Sequence, residues 1–271
     1  LAKTKGYDGL LKCELRHRPK LWNLAQRSPG QKNYVSLLHM IPHAPVIQVR
    51  FLGGLSVMDD KGRPITVKWP SEKTRSLFTY MVIHREIPVH RELLLEQIWP
   101  DMEPQRANVN FRNTATRLRQ ALLSALDGQV NKDDIFTFKH KKYQLLSGVR
   151  IRVDTEEFDS IIKEAGSIDA PDTKVKHITQ ALELYRGDFL PENYDTWTDI
   201  HRQRLKENYL NNLHWLAGYA ARIGDNDGCI AACEKYLARE PFSEEISRLC
   251  MQVLVRLGRL GAVKNRYEQL K

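Results

Sequence analysis

Between Glu103 and Asp127 the chain runs for more than twenty residues without an acidic side chain, and the same stretch carries an apolar stripe at helical spacing. Phe111, Ala115, Leu118 and Leu122 recur at i, i+4, i+7 and i+11, which puts them on one side of an α-helix. Pro104 suits a first helical turn. A helix over 105–126 must bury that stripe, so it needs a core around it. At roughly 100° per residue, Asn110, Asn113, Thr116, Arg117 and Gln120 fall on the opposite side, with Thr114 at the stripe's edge. A solvated helix face ordinarily mixes Glu with Lys. Four arginines (Arg106, Arg112, Arg117, Arg119) without one acid instead suit a polyanion. Arginine can bond guanine bidentately, asparagine can bond adenine, and threonine can bond base edges or touch the thymine methyl. DNA contact is therefore expected of this helix; the plain alternative is a solvated polar face.

The flanking segments extend that expectation. From Val46, VIQVRFLGGLSV alternates like a strand, Gly53 and Gly54 make a turn, and ITVKW reads as a third strand of a small antiparallel sheet. Helices are expected over 71–84, with Ser71 as N-cap, and over 90–99, ended by Pro100. After the third helix, IFTFK and KYQLL read as a hairpin with a lysine-rich tip. Strands, three helices and a hairpin in that order describe a winged helix-turn-helix over 46–153. The third helix would then read DNA, while Lys139, Lys141 and Lys142 of the wing reach phosphates. Arg91 is a further phosphate candidate, though an ordinary surface arginine is the simpler reading.

Beyond Asp154 the pattern is helical throughout. Gly224 and Gly258 stand 34 residues apart, each after an apolar helix and before another, which is the tetratricopeptide period. Trp197, Tyr209, Trp215 and Tyr219 read as packing residues of one long helix. The first 45 residues show short helical pieces (Leu10, Leu11, Leu15; Tyr34, Leu37, Leu38, Ile41) broken by Pro19, Pro29 and Gly30. They read as a linker or the tail of an upstream helical domain. Segments 1–45, 46–153 and 154–271 carry +6, +7 and −4. A basic front and an acidic back put the polyanion at the front.

Enzyme chemistry finds little footing. No phosphate-binding glycine loop, nucleophile elbow or zinc-protease motif occurs. The nine histidines are scattered, and His201 and His214 read as surface or packing residues. Four cysteines without a Cys-x-x-Cys pair make a zinc site unexpected; Cys229 and Cys233, at i,i+4, read as small buried packing residues. No catalytic residue, metal or cofactor is expected. Neither is a membrane span, since no run of eighteen apolar residues exists. Cysteine usage points to the cytoplasm.

The block from FLGGLSV through LEQIWPD to ANVNFRNTATRLRQAL resembles the DNA-binding domain of SARP-type activators (Streptomyces antibiotic regulatory proteins), an OmpR-type winged helix. VDTEEFD, LYRGDFLP, the Trp197…Arg202…Arg204-Leu205 spacing, EPFSEE and RYEQL are similar to the bacterial transcriptional activator domain that follows it in that family. The resemblance covers about residues 46–271. It implies a mainly α fold with a small β component, the winged helix followed by tetratricopeptide-like helices. It also implies sequence-specific binding of double-stranded DNA at promoter repeats and activation through RNA polymerase, with self-association on DNA. The recognition helix carries over to Asn110, Asn113, Thr114, Thr116 and Arg117, and the wing to 139–142. About 45 residues precede the first strand, a departure from short members; larger regulators join a signal-sensing NTPase and helical repeats to this module. The alternative is a helical-repeat scaffold for proteins, without sequence-specific DNA binding.

Overall fold

The structure is a computed structural model that describes residues 46–126, 130, 135–139, 141–146 and 149–270. The helical pieces expected in 1–45, and Cys13, lie outside the described residues. The chain divides into two compact units. One holds 56–153 together with the strand up to Val49, and the other holds Arg50–Leu55 with the chain from Asp154 onward.

The first unit is built on two small sheets. Strands β1 (Val46–Arg50), β2 (Ser56–Asp59) and β6 (Arg150–Val153) form one, in the order β2-β1-β6. Alternation along β1 buries Ile47 and Val49. The expected antiparallel sheet is corrected here: β1 pairs with β6 in parallel, Val46 opposite Arg150 and Val49 opposite Val153. Parallel pairing needs a long crossover, and three helices and a hairpin supply it. The expected third strand, ITVKW, does not form. Ile65, Val67 and Trp69 do alternate with more exposed neighbours. The backbone, however, makes only a bridge at Met58–Pro64 and the bond from Ile65 N–H to Val57 carbonyl. Pro64 has no N–H for a ladder.

Three helices follow: α1 (Glu72–Ile83), α2 (Arg91–Ile98) and α3 (Pro104–Ala125). Ser71 caps α1 as expected, its hydroxyl accepting from Thr74 N–H at 3.2 Å. Glu103 caps α3, its carboxylate accepting from Gln105 and Arg106 N–H at 3.1 Å, with Pro104 in the first turn. The second sheet contains the hairpin of β4 (Phe136–Lys139) and β5 (Lys142–Leu145). It also contains a two-residue strand that the alternation pattern is too short to show, β3 (Val89–His90), paired with β5.

The second unit is six helices: α4 (Asp154–Gly166), α5 (Pro171–Leu184), α6 (Thr196–Ile223), α7 (Asn226–Leu237), α8 (Glu244–Arg256) and α9 (Leu260–Leu270). Packing is mainly between helices adjacent in sequence, as in a repeat array. Gly224 ends α6 at φ 81 and Gly258 follows α8 at φ 70, so the 34-residue interval separates two left-handed helix ends. Trp197 and Tyr209 are buried, whereas Trp215 and Tyr219 are half-buried and stack on each other at 5.4 Å. Cys229, Cys233 and Cys250 are buried free thiols. Among the described residues, no helix is long and apolar enough to cross a membrane.

Candidate nucleic-acid interface

The posture of α3 is set by its aromatic anchor. Phe111, 1% exposed, meets Trp99 edge-on at 6.4 Å and Tyr143 at 4.9 Å. Tyr143 in turn meets Phe136 at 5.6 Å and Phe138 at 4.6 Å. The helix is thereby held between the end of α2 and the hairpin, and aromatic pairs of this kind contribute about 0.5–1.5 kcal/mol beyond area burial. Ala107, Ala115, Leu118 and Leu122 complete the buried stripe.

The opposite side is open. Arg106, Arg112, Asn113, Thr116, Arg117 and Gln120 are exposed. Thr116 donates its hydroxyl to the Arg112 carbonyl at 2.9 Å, leaving its oxygen able to accept. Asn110 is half-buried, its amide 2.9 Å from the sulfur of Met102. Arg119 is turned aside, its guanidinium 6.0 Å from the Phe136 ring centroid. Thr114 requires a correction as a candidate contact: it is 8% exposed, within the core stripe. At i+3 from Phe111 and i−4 from Leu118 it shares their side of the helix, so the edge position assigned from spacing belongs inside. Arg106 and Arg112 belong to the open face as well.

The wing and the start of α2 form a second basic element. His90 pairs with Lys142 across β3–β5, and Arg91 N–H donates to the Lys141 carbonyl at 3.2 Å. Lys141 is exposed at φ 63 and Lys142 half-exposed; the side chain of Lys139 and all of His140 lie outside the described residues. Lys139 and Lys142 are directly opposed in the backbone register. The Arg91 guanidinium is about one-third exposed and 3.7 Å from Glu92. The Glu92 carboxyl is held below its usual value, first by its own backbone N–H, and further by Arg91, His90 and Lys141. That acid sits in a positive field.

Residues 153–271 match the bacterial transcriptional activator domain.

The transcriptional regulatory protein MoaR1 of Mycobacterium tuberculosis is 24% identical over 245 residues, 89% of this chain and 74% of that protein. The regulatory protein DnrI of Streptomyces peucetius is 23% identical over 241 residues, 83% of this chain and 84% of that protein. Among solved structures, Mycobacterium tuberculosis EmbR in complex with low affinity phosphopeptide shares the fold. The TM-score is 0.62 at 19% identity, over 84% of this chain and 59% of that one. The SARP-type resemblance therefore holds, and the relatives it is similar to are named as bacterial transcriptional regulators.

Within the matched segment and Arg50–Leu55, the quoted motifs have structural roles. In VDTEEFD, the buried Asp154 accepts from Phe51 N–H at 2.9 Å and Leu52 N–H at 3.0 Å. In LYRGDFLP, a Cβ on Gly187 would come 2.8 Å from the Gly53 Cα, so only glycine fits that crossing. Arg202 donates to the carbonyls of Phe189, Leu190 and Asn193 at 2.7–3.0 Å and to Asp199 at 2.5 Å. His201 lies 5.6 Å from the Phe189 ring, and burial lowers its tendency to take a proton. Among the described residues, no group of three histidine, cysteine or acidic side chains is placed to hold a metal.

Proposed function

We propose that the chain is a cytoplasmic, non-enzymatic, sequence-specific DNA-binding regulator. In this reading α3 enters the major groove, the β4–β5 hairpin lies along phosphates, and residues 153–271 contribute to activation. The observation that carries it is the α3 face: three exposed arginines with Asn113, Thr116 and Gln120, opposite a fully buried aromatic-aliphatic stripe. Asn113 supplies a donor and an acceptor that match adenine, and Arg117 a pair of donors that match guanine. Lys141, Lys142 and Arg91 supply cations for the flanking backbone. Paired copies on promoter repeats, contacting RNA polymerase, would convert binding into activation.

Selection of duplexes from a random pool by the 271-residue chain tests this reading. An enriched sequence, bound with steeply salt-dependent affinity, is the expected result. Uniform recovery of all sequences, or no retention at low salt, contradicts it.

A further inference from the structure

Val109 sits in the second turn of α3, 57% exposed, while Phe111, Leu118 and Leu122 of the same helix are 0–1% exposed. At roughly 100° per residue it lies about 160° around from Phe111, near the centre of the outward side. Its neighbours there are Arg106, Arg112, Asn113 and Thr116, all exposed. A branched hydrocarbon in the middle of a cationic, hydrogen-bonding surface gains nothing from water. It is also a poorer helix former than the Lys, Arg or Gln that such a site would otherwise take.

A major groove presents an apolar partner for it. Thymine carries a 5-methyl group there, beside the donors and acceptors of the other edges. Residues near the N-terminal end of a recognition helix are those that meet base edges. Valine is also nearly confined to one χ1 rotamer within a helix, so its two methyls are held in one direction before any DNA arrives. Asn113, one turn further along the same side, has the chemistry for an adenine.

We propose that Val109 is a specificity-determining residue that packs its isopropyl group on the 5-methyl of a thymine in the bound site. This rests on the reading of α3 as the groove-entering helix. Val109 adds an apolar requirement to the polar code of Asn113 and Arg117, and makes thymine, rather than any pyrimidine, the preferred base at one position of each half-site.

The experiment uses the enriched duplex from the selection above and replaces each thymine in turn by deoxyuridine, which lacks only the methyl. The expected result is one position per half-site where the replacement weakens the wild-type chain about fourfold, the worth of one buried methyl. Val109→Ala binds the unmodified duplex about that much more weakly and is indifferent to deoxyuridine at that position. Because Val109 is exposed, the variant should melt with the wild type, and a melting curve checks this. If Val109→Ala keeps the full deoxyuridine penalty, or no replacement affects the wild type, the assignment of Val109 is wrong while DNA reading by α3 stands. If the selection enriches no sequence, both readings fall together.

Discussion

The Arg91 N–H and the Lys141 carbonyl are joined at 3.2 Å, tying the first turn of α2 to the tip of the β4–β5 hairpin. His90 and Lys142, one residue away on each strand, are paired in the sheet. The two basic elements flanking α3 are thus held to one another by backbone bonds. A phosphate contact made by one sets the position of the other, which is how backbone contacts fix register without reading sequence.

Lys141 should show this through salt. Lys141→Gly removes the charge at a residue whose φ of 63 suits glycine, so the turn itself should survive. The slope of log affinity against log salt should become shallower by about 0.9, with sequence preference unchanged. Filter binding across a salt series measures it; an unaltered slope would take the wing off the phosphates.

Asn113 and Thr114 are adjacent in sequence, but the first is exposed and the second buried. Asn113→Ala should cost about 1–3 kcal/mol at an adenine position while leaving thermal stability near wild type. Thr114→Val should leave sequence preference intact, since that residue is buried. Binding to single-base variants of the selected site, together with thermal melts, separates the two. A preference altered by Thr114→Val but not by Asn113→Ala would invert the orientation of α3.

Arg202 gathers three carbonyls and Asp199 with one planar guanidinium. Lysine has the charge but not the fork, and would leave carbonyls unpaired. Arg202→Lys is expected to destabilise the helical unit by about 2–4 kcal/mol. Urea unfolding followed by circular dichroism reads the loss, and a change under half a kcal/mol would show the network to be dispensable.

Asp154 carries a pH signature. Burial, the largest influence, pushes its carboxyl above the ordinary value, against bonds from Leu52, Phe51 and Thr155 backbone N–H groups. A carboxyl raised in the folded state binds its proton more tightly there. Its stabilising contribution is therefore complete in acid and declines as pH rises from about 4, the unfolded value, through the folded one. Relative to Asp154→Asn, the wild type should lose stability over that window. Urea midpoints of both chains at a series of pH values test the sign; a gap moving the other way would mean the N–H bonds outweigh burial.

Much of this was legible in the sequence because single elements obey single periods. The α3 stripe, the Ser71 cap and the hairpin strands follow from local spacing alone. What was not legible depended on distant partners. The parallel pairing of β1 with β6 joins strands about a hundred residues apart, and no local pattern encodes it. ITVKW has strand alternation, but a strand needs a neighbour, and Pro64 helps to deny it one. Thr114 lies inside, off the edge its spacing suggests, because a helix face is a continuum and the core reaches one residue wider than its large side chains. Val109 is an apolar residue opposite the stripe, and only its exposure in the fold distinguishes it from a packing residue.

Whether α3 reads DNA is tested most directly by Arg117→Ala, compared with wild type on the selected duplex and on a shuffled one. Arg117 is exposed on the outward side of α3. A loss of about 1–3 kcal/mol is expected on the specific duplex, with a smaller loss on the shuffled one and an unchanged melting temperature. Equal affinity and equal preference for both proteins would contradict the claim that this face of α3 reads DNA.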